Sequence, residues 1–275
     1  MIQDSKVLKW FKEHENQKTW LVILFTKPKL YLYNLLKRTF VIGLFLFFVC
    51  ETFKYLNIGQ TQTIPSTLHS LIGFVIALLL VFRTNTAYDR WWEARKIFSS
   101  LQAALIYIRI KFANSTYTEE INARLIELND NIFRYVSADE GIESIEIKEK
   151  FVKSYKSLSD FISETIIPPA AQGSVERKLT DIMDYFSSME RIKDTPIPMS
   201  YSFHIKLSIF LYLLSLPFGL LFELGLWSIP CVMVLFFIIA GIEIISNEIE
   251  NPFKGDPNDL PIDDYKKENE KYING

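Results

Sequence analysis

The chain is poor in the residues that most catalytic and metal chemistry needs. Its 275 residues include two cysteines and three histidines. Cys50 and Cys231 both sit in apolar runs, and neither a disulfide framework nor a paired-cysteine metal site is expected from them. His14, His69 and His204 lie far apart and belong to no metal-binding or catalytic motif. A P-loop, a G-x-G-x-x-G loop and a nucleophile set beside a base are all missing, so the chain does not read as an enzyme. No basic tract with interleaved aromatics points to nucleic acid. The first twenty residues are largely polar and charged, without the apolar core of a secretory signal.

Charge and helix breakers are missing over long stretches as well. From Gly59 to Phe82, and again from Leu224 to Ile242, no residue is charged. No glycine falls between Gly73 and Gly141, and no proline between Pro65 and Pro168. What fills the chain instead is apolar mass: 49% of residues are hydrophobic, 15% aromatic, and 22 are phenylalanine. That is more than a soluble chain of this size usually carries. A bilayer core of ~30 Å takes ~20 apolar residues in a helix, which makes both uncharged stretches membrane spans. Two further apolar runs, Thr39–Cys50 and Leu207–Phe222, are slightly short alone, and each lies directly beside a strong one. The sequence therefore predicts an all-α integral membrane protein with four transmembrane helices in two hairpins, turning at Asn57–Ser66 and Glu223–Trp227. Pro217 and Pro230 need not break their spans, since neighbouring helices can satisfy the freed backbone groups.

Orientation follows from the cations. Lys6, Lys9, Lys12, Lys18, Lys27, Lys29, Lys37 and Arg38 precede the first span, and Arg83, Arg90, Arg95 and Lys96 follow the second, while neither turn contains Lys or Arg. The positive-inside rule puts both termini and the middle of the chain in the cytoplasm. The expected layout is a cytosolic segment 1–38, a hairpin 39–83, a cytosolic helical region 84–203, a second hairpin 204–247 and a cytosolic tail 248–275. His69, near the outer end of the second span, reads as an interfacial, hydrogen-bonded side chain.

With no glycine or proline to stop it, the second span should continue as helix to Phe112, with Leu101, Leu105, Ile108 and Phe112 as its apolar stripe. A helix from Ser66 to Phe112 would be about 70 Å long at ~1.5 Å per residue. A second helix follows with Ile121, Leu125, Leu128, Ile132 and Tyr135 on one face. Others are expected near Ile145–Ile166 and Ser174–Ile192. The tail from Lys254, with Pro257 and Pro261, reads as extended chain.

Three segments then carry a resemblance. Arg83-Thr84-Asn85-Thr86-Ala87-Tyr88-Asp89-Arg90-Trp91-Trp92-Glu93-Ala94-Arg95 leaves the second span. Arg191-Ile192-Lys193-Asp194-Thr195-Pro196-Ile197-Pro198 leads into the third. Asn247-Glu248-Ile249-Glu250-Asn251-Pro252-Phe253, with Asn258-Asp259-Leu260-Pro261, leaves the fourth. In this order and at these span ends they resemble the bestrophin family in its bacterial form, over nearly the whole chain.

The resemblance implies a homopentameric channel in a bacterial inner membrane, passing small monovalent ions through one central pore lined by the second helix of each subunit. It places the apolar neck at Phe74, Leu78 and Phe82, four residues apart and so on one helix face. Such rings can gate by dewetting and leave the sign of the permeant ion, chloride or a monovalent cation, to be set elsewhere. A second aperture at a proline-started helix falls on Ala170. Arg90, Trp91, Trp92, Glu93 and Pro198 read as packing and anchoring residues. Glu248 and Glu250, with Glu243, read as partners of the Arg83–Arg95 cations. Animal members bind calcium after the fourth span. Asn251, Asp256 and Asp259 are the oxygen ligands available there, but Gly255 and Pro257 stand where acidic residues would, and the segment reads as a turned tail. No other cofactor is expected. The partners are the chain's own copies and lipid. A non-conducting scaffold or sensor is the alternative that residue patterns leave open.

Overall fold

The computed structural model describes residues 29–56, 66–139, 141–165, 169–256 and 258–275. Among these every regular element is helical. The elements are α1 (Lys29–Tyr55), α2 (Ser66–Phe112), α3 (Thr118–Ser137), α4 (Ile142–Glu164), α5 (Pro169–Asp194), α6 (Met199–Leu224), a 3₁₀ turn (Gly225–Trp227), α7 (Ser228–Glu250) and α8 (Ile262–Asn274). The absence of glycine and proline has the anticipated consequence, because α2 runs unbroken for 47 residues.

The chain divides into two compact units. One contains α1, the first part of α2, α6 and α7. Here α1 and α6 both pack on α7. Its core is Leu46, Ile76, Leu80, Ile205, Ile209, Leu213, Leu216 and Val232. The link between α6 and α7 is the 3₁₀ turn, where Gly225 has φ of 57°, a left-handed value that glycine takes without strain. Outward faces of this unit are rich in exposed Phe, Leu, Val and Ile, as lipid contact allows and water does not.

Among the described residues three helices are long and apolar enough to cross a membrane: Thr67–Phe112, Met199–Pro217 and Gly225–Glu250. α1 is not one of them. Lys37-Arg38 and Glu51 fall within the helix and confine its uncharged run to Thr39–Cys50. Of the two expected turns, Asn57–Pro65 lies outside the described residues.

The other unit is a helical assembly with a conventional core. Ile121, Leu125, Leu128, Ile132 and Tyr135, the stripe read from the sequence, are all buried on α3. Phe98 of α2 sits in an aromatic nest, with ring centroids 5.2 Å from Phe133, 5.7 Å from Phe253 and 5.1 Å from Tyr265. Phe151 of α4 stacks on Phe186 of α5 at 3.7 Å. Tyr135 donates to the Glu190 carboxylate at 3.1 Å. Burial first, then the Glu190 and Asp194 carboxylates, push this phenol well above its ordinary pKa, so it stays a donor.

One expectation fails. The tail is not extended throughout, since Ile262–Asn274 is the helix α8. Pro257 and Pro261 precede it, and a proline at a helix start costs nothing because the N–H it lacks would be unpaired there anyway. Asp263 and Asp264 occupy its first turn and Lys271 its last, matching the helix dipole. Tyr265, Asn269 and Ile273 are buried, a four-residue spacing that the polar composition of the tail conceals. Asn269 donates to Asn129 of α3 at 2.8 Å, and Lys266 pairs with Asp130. The sequence boundaries also shift at α5, which begins at Pro169 rather than Ser174.

Phe98 is fully buried, so Phe98→Ala removes a large side chain that three aromatic rings surround. It should cost about 3–5 kcal/mol, read as a lowered thermal midpoint of the detergent-purified protein. An unchanged midpoint would mean the nest is not part of the folded core.

Candidate functional site

The membrane part of α2 has two distinct faces. Ile76 (4% exposed), Leu80 (4%), Arg83 (0%) and Ala87 (0%) are buried, whereas Phe74, Leu78 and Phe82 are 67%, 43% and 55% exposed in the single chain. At 3.6 residues per turn, the mean direction of the exposed three is roughly opposite to that of the buried four. A row of three large apolar side chains thus points away from the chain's own core.

Both ends of this segment are tied down by polar contacts in an otherwise apolar unit. At the N-terminal end His69 is buried, with Nε2 3.1 Å from the Ser215 carbonyl of α6. Glycines let α2 and α6 come this close. A Cβ on Gly219 would stand 3.0 Å from His69, and one on Gly73 would stand 2.7 Å from the Tyr212 hydroxyl. Small residues at such crossings are the usual device of membrane helices.

At the other end stands Arg83, directly after Phe82. Its side chain is wholly buried, and it reaches α7 at three points: Glu243 at 3.4 Å, Asn247 at 3.0 Å and Glu250 at 3.4 Å. Glu243 is shared with Lys206 of α6 at 3.4 Å. Glu250 also accepts the Ile197 N–H at 3.1 Å, which holds the entry to α6. Two cations and two carboxylates balance, as a buried charge requires. Glu248 lies half-buried on the same helix.

The remaining motif residues meet in the other unit. Arg90 donates to the Thr195 and Ile192 carbonyls, each at 2.6 Å. These carbonyls lie at and just beyond the C-terminus of α5, where backbone acceptors lose their helical partners and a cation also suits the dipole. Glu93 pairs with Arg191 at 2.7 Å. Trp91 donates to the Asn258 carbonyl at 3.1 Å. Trp92, partly exposed, stacks on Trp91 and lies under Arg95 at 5.0 Å. One segment of each of the three motifs is therefore joined here. Pro198 immediately precedes α6 and its carbonyl accepts the Tyr201 N–H at 3.0 Å.

The remaining candidates stand apart from these clusters. Ala170 is the second residue of α5, and its side chain lies outside what is described. Asn251, Asp256 and Asp259 all follow α7. Asp259 turns its carboxylate to the Asp256 N–H at 2.8 Å, capping its own turn. Asn251 borders a cavity that also has Asp139, Lys193 and Lys254 on its wall. Among the described residues no group of three His, Cys, Asp or Glu is placed to hold a metal ion.

Comparison with known proteins decides the family. A model described as the bacterial/fungal bestrophin protein matches residues 10–138 and 148–274. This chain belongs to the bacterial and fungal bestrophin family. Relatives in two cyanobacteria are similar over most of the chain. A voltage-dependent anion channel-forming protein of Nostoc sp. is 31% identical, over 90% of this chain and 88% of that one. One of the same description from Synechocystis sp. is 30% identical over 74% and 75%. The crystal structure of a bestrophin homologue from Klebsiella pneumoniae shares the fold, with a TM-score of 0.74 at 18% identity, covering 88% of this chain and 96% of that one.

Sequence reasoning had proposed Arg83 as one of three cations for α7, but it did not find Asn247 or Lys206 as members of the cluster. Nor did it find the α5 carbonyls as the receptors of Arg90. The available signal was a helix end just before Pro196, which leaves carbonyls open. Because Arg83 is the shared partner of two carboxylates, Arg83→Gln should destabilise this bestrophin by about 3–5 kcal/mol. Arg83→Gln combined with Glu243→Gln should recover part of that loss. Thermal unfolding in detergent measures both, and a stable Arg83→Gln protein would show that the cluster does not anchor α2.

Proposed function

We propose that this bestrophin is the subunit of a homopentameric ion channel, with Phe74, Leu78 and Phe82 of each copy forming the apolar neck of a central pore. One observation carries the reading. These three side chains form an exposed row on the face of α2 opposite to its packed face, and an exposed row of this kind is what copies around an axis would share. Family membership supports the oligomeric arrangement. The chain sits in the bacterial inner membrane with four spans, α1 serving as the fourth, and both termini are in the cytoplasm. The lysines and arginines before α1, and their absence from both turns, support that orientation.

The neck holds no charge, so passage there depends on width and wetting rather than on a fixed ion site. The permeant ions are small and monovalent. The anion-channel description of the cyanobacterial relatives favours chloride and similar anions for this chain. The second aperture, at Ala170, would make the cytoplasmic opening wider than a branched side chain would.

Reconstitution of the full chain in planar bilayers tests this directly. Wild type should carry current, and Phe74/Leu78/Phe82→Ala should carry more, because smaller side chains widen and wet the neck. In a KCl gradient the reversal potential should approach the chloride equilibrium value. Reversal near the potassium value would transfer the selectivity to cations. Silence from both proteins would refute the channel and leave a membrane scaffold or sensor. Native mass measurement should give five copies.

A further inference from the structure

Between α1, α6 and α7 lies a cavity of about 180 Å³ whose wall is apolar along most of its length, including Ile42, Phe45, Leu213 and Phe236. Its rim is different. Arg38 of α1 and Lys206 of α6 both line it, and a neighbouring hollow that shares Arg38, Ile42 and Phe236 adds Lys37. Among the described residues the Lys37 and Arg38 side chains make no ion pair or hydrogen bond. Glu243, the one acid on the wall among the described residues, already answers to Arg83 and Lys206. The mouth of the cavity is therefore net positive, while its body suits hydrocarbon.

A small soluble anion would use the rim and leave the apolar walls unfilled. A neutral lipid would fill the walls and leave the Arg38 charge unanswered, with only Glu243 set against Lys206. We propose that this groove is a binding site for an anionic glycerophospholipid, with the phosphate at Arg38 and Lys206 and an acyl chain along Ile42, Phe45, Leu213 and Phe236. Basic pockets between membrane helices at the cytoplasmic side select such headgroups. The site follows from the membrane placement of α1, α6 and α7 and not from conduction, so its failure would leave the channel reading standing.

Native mass spectrometry of the full-length protein in detergent, with phosphatidylglycerol and phosphatidylcholine of equal chain length, tests the site. Wild type should retain phosphatidylglycerol about 25-fold better, given two basic contacts of about fivefold each. Arg38→Gln should lower that preference about fivefold, while Arg38→Lys keeps it. Arg38 is exposed and, among the described residues, makes no ion pair or hydrogen bond, so the melting temperature of Arg38→Gln should match wild type. Ile42→Trp, which fills the groove, should lower retention of both lipids. Equal retention of the two lipids by wild type, an unaltered preference in Arg38→Gln, or displacement of the lipid by inorganic phosphate at equal concentration would overturn the proposal.

Discussion

A guanidinium that water cannot reach has to be answered by the protein, and among the described residues the side chains that answer Arg83 all come from α7. Glu243, Asn247 and Glu250 lie within hydrogen-bonding reach of its two terminal nitrogens. Burying an isolated charge of this kind would cost several kcal/mol, so the side chain has little freedom to point anywhere else. Fixing Arg83 fixes the rotation of α2 about its own axis. Phe82, Leu78 and Phe74 are then turned away from the helices that hold Arg83. The proposed neck is thus set by a polar contact one residue beyond it, and the apolar residues themselves need no specific partner within the chain.

Backbone acceptors do comparable work in the second unit. Arg90 closes the open carbonyls at the end of α5, Glu93 binds Arg191, and Trp91 reaches the Asn258 carbonyl. Each of these joins a residue from the exit of the second span to one more than ninety positions away. Segments from separate points of the sequence are held by a few directional bonds, while aromatic packing around Phe98 supplies bulk stability. Directional contacts position; apolar contacts stabilise.

The helical architecture was legible in the sequence where the residue pattern was emphatic. The uninterrupted α2 followed from missing glycine and proline, and the α3 stripe from strict spacing of Ile, Leu and Tyr. α8 was hidden because its buried face is Tyr265, Asn269 and Ile273, only one of them aliphatic, in a segment dominated by Lys, Glu and Asp. α1 was hard for the opposite reason, since its apolar run is shortened by charges inside the helix. At the site, types of residue were readable but pairings were not. Which acid meets Arg83, and that Arg90 would reach the Ile192 and Thr195 carbonyls, depends on helix rotations that no spacing rule supplies. Lys206 belongs to the same class, as it lies 37 residues before Glu243 and meets it only through the α6–α7 hairpin.

The most direct test of the central claim compares two positions on α2 that differ in face alone. In a channel freed of its native thiols by Cys50→Ala and Cys231→Ala, Leu78→Cys and Ile76→Cys are each reconstituted and exposed to a small water-soluble thiol reagent. A pore lined by the exposed face predicts rapid loss of current at position 78 and none at position 76. Equal block at both positions, or block at 76 alone, would contradict it.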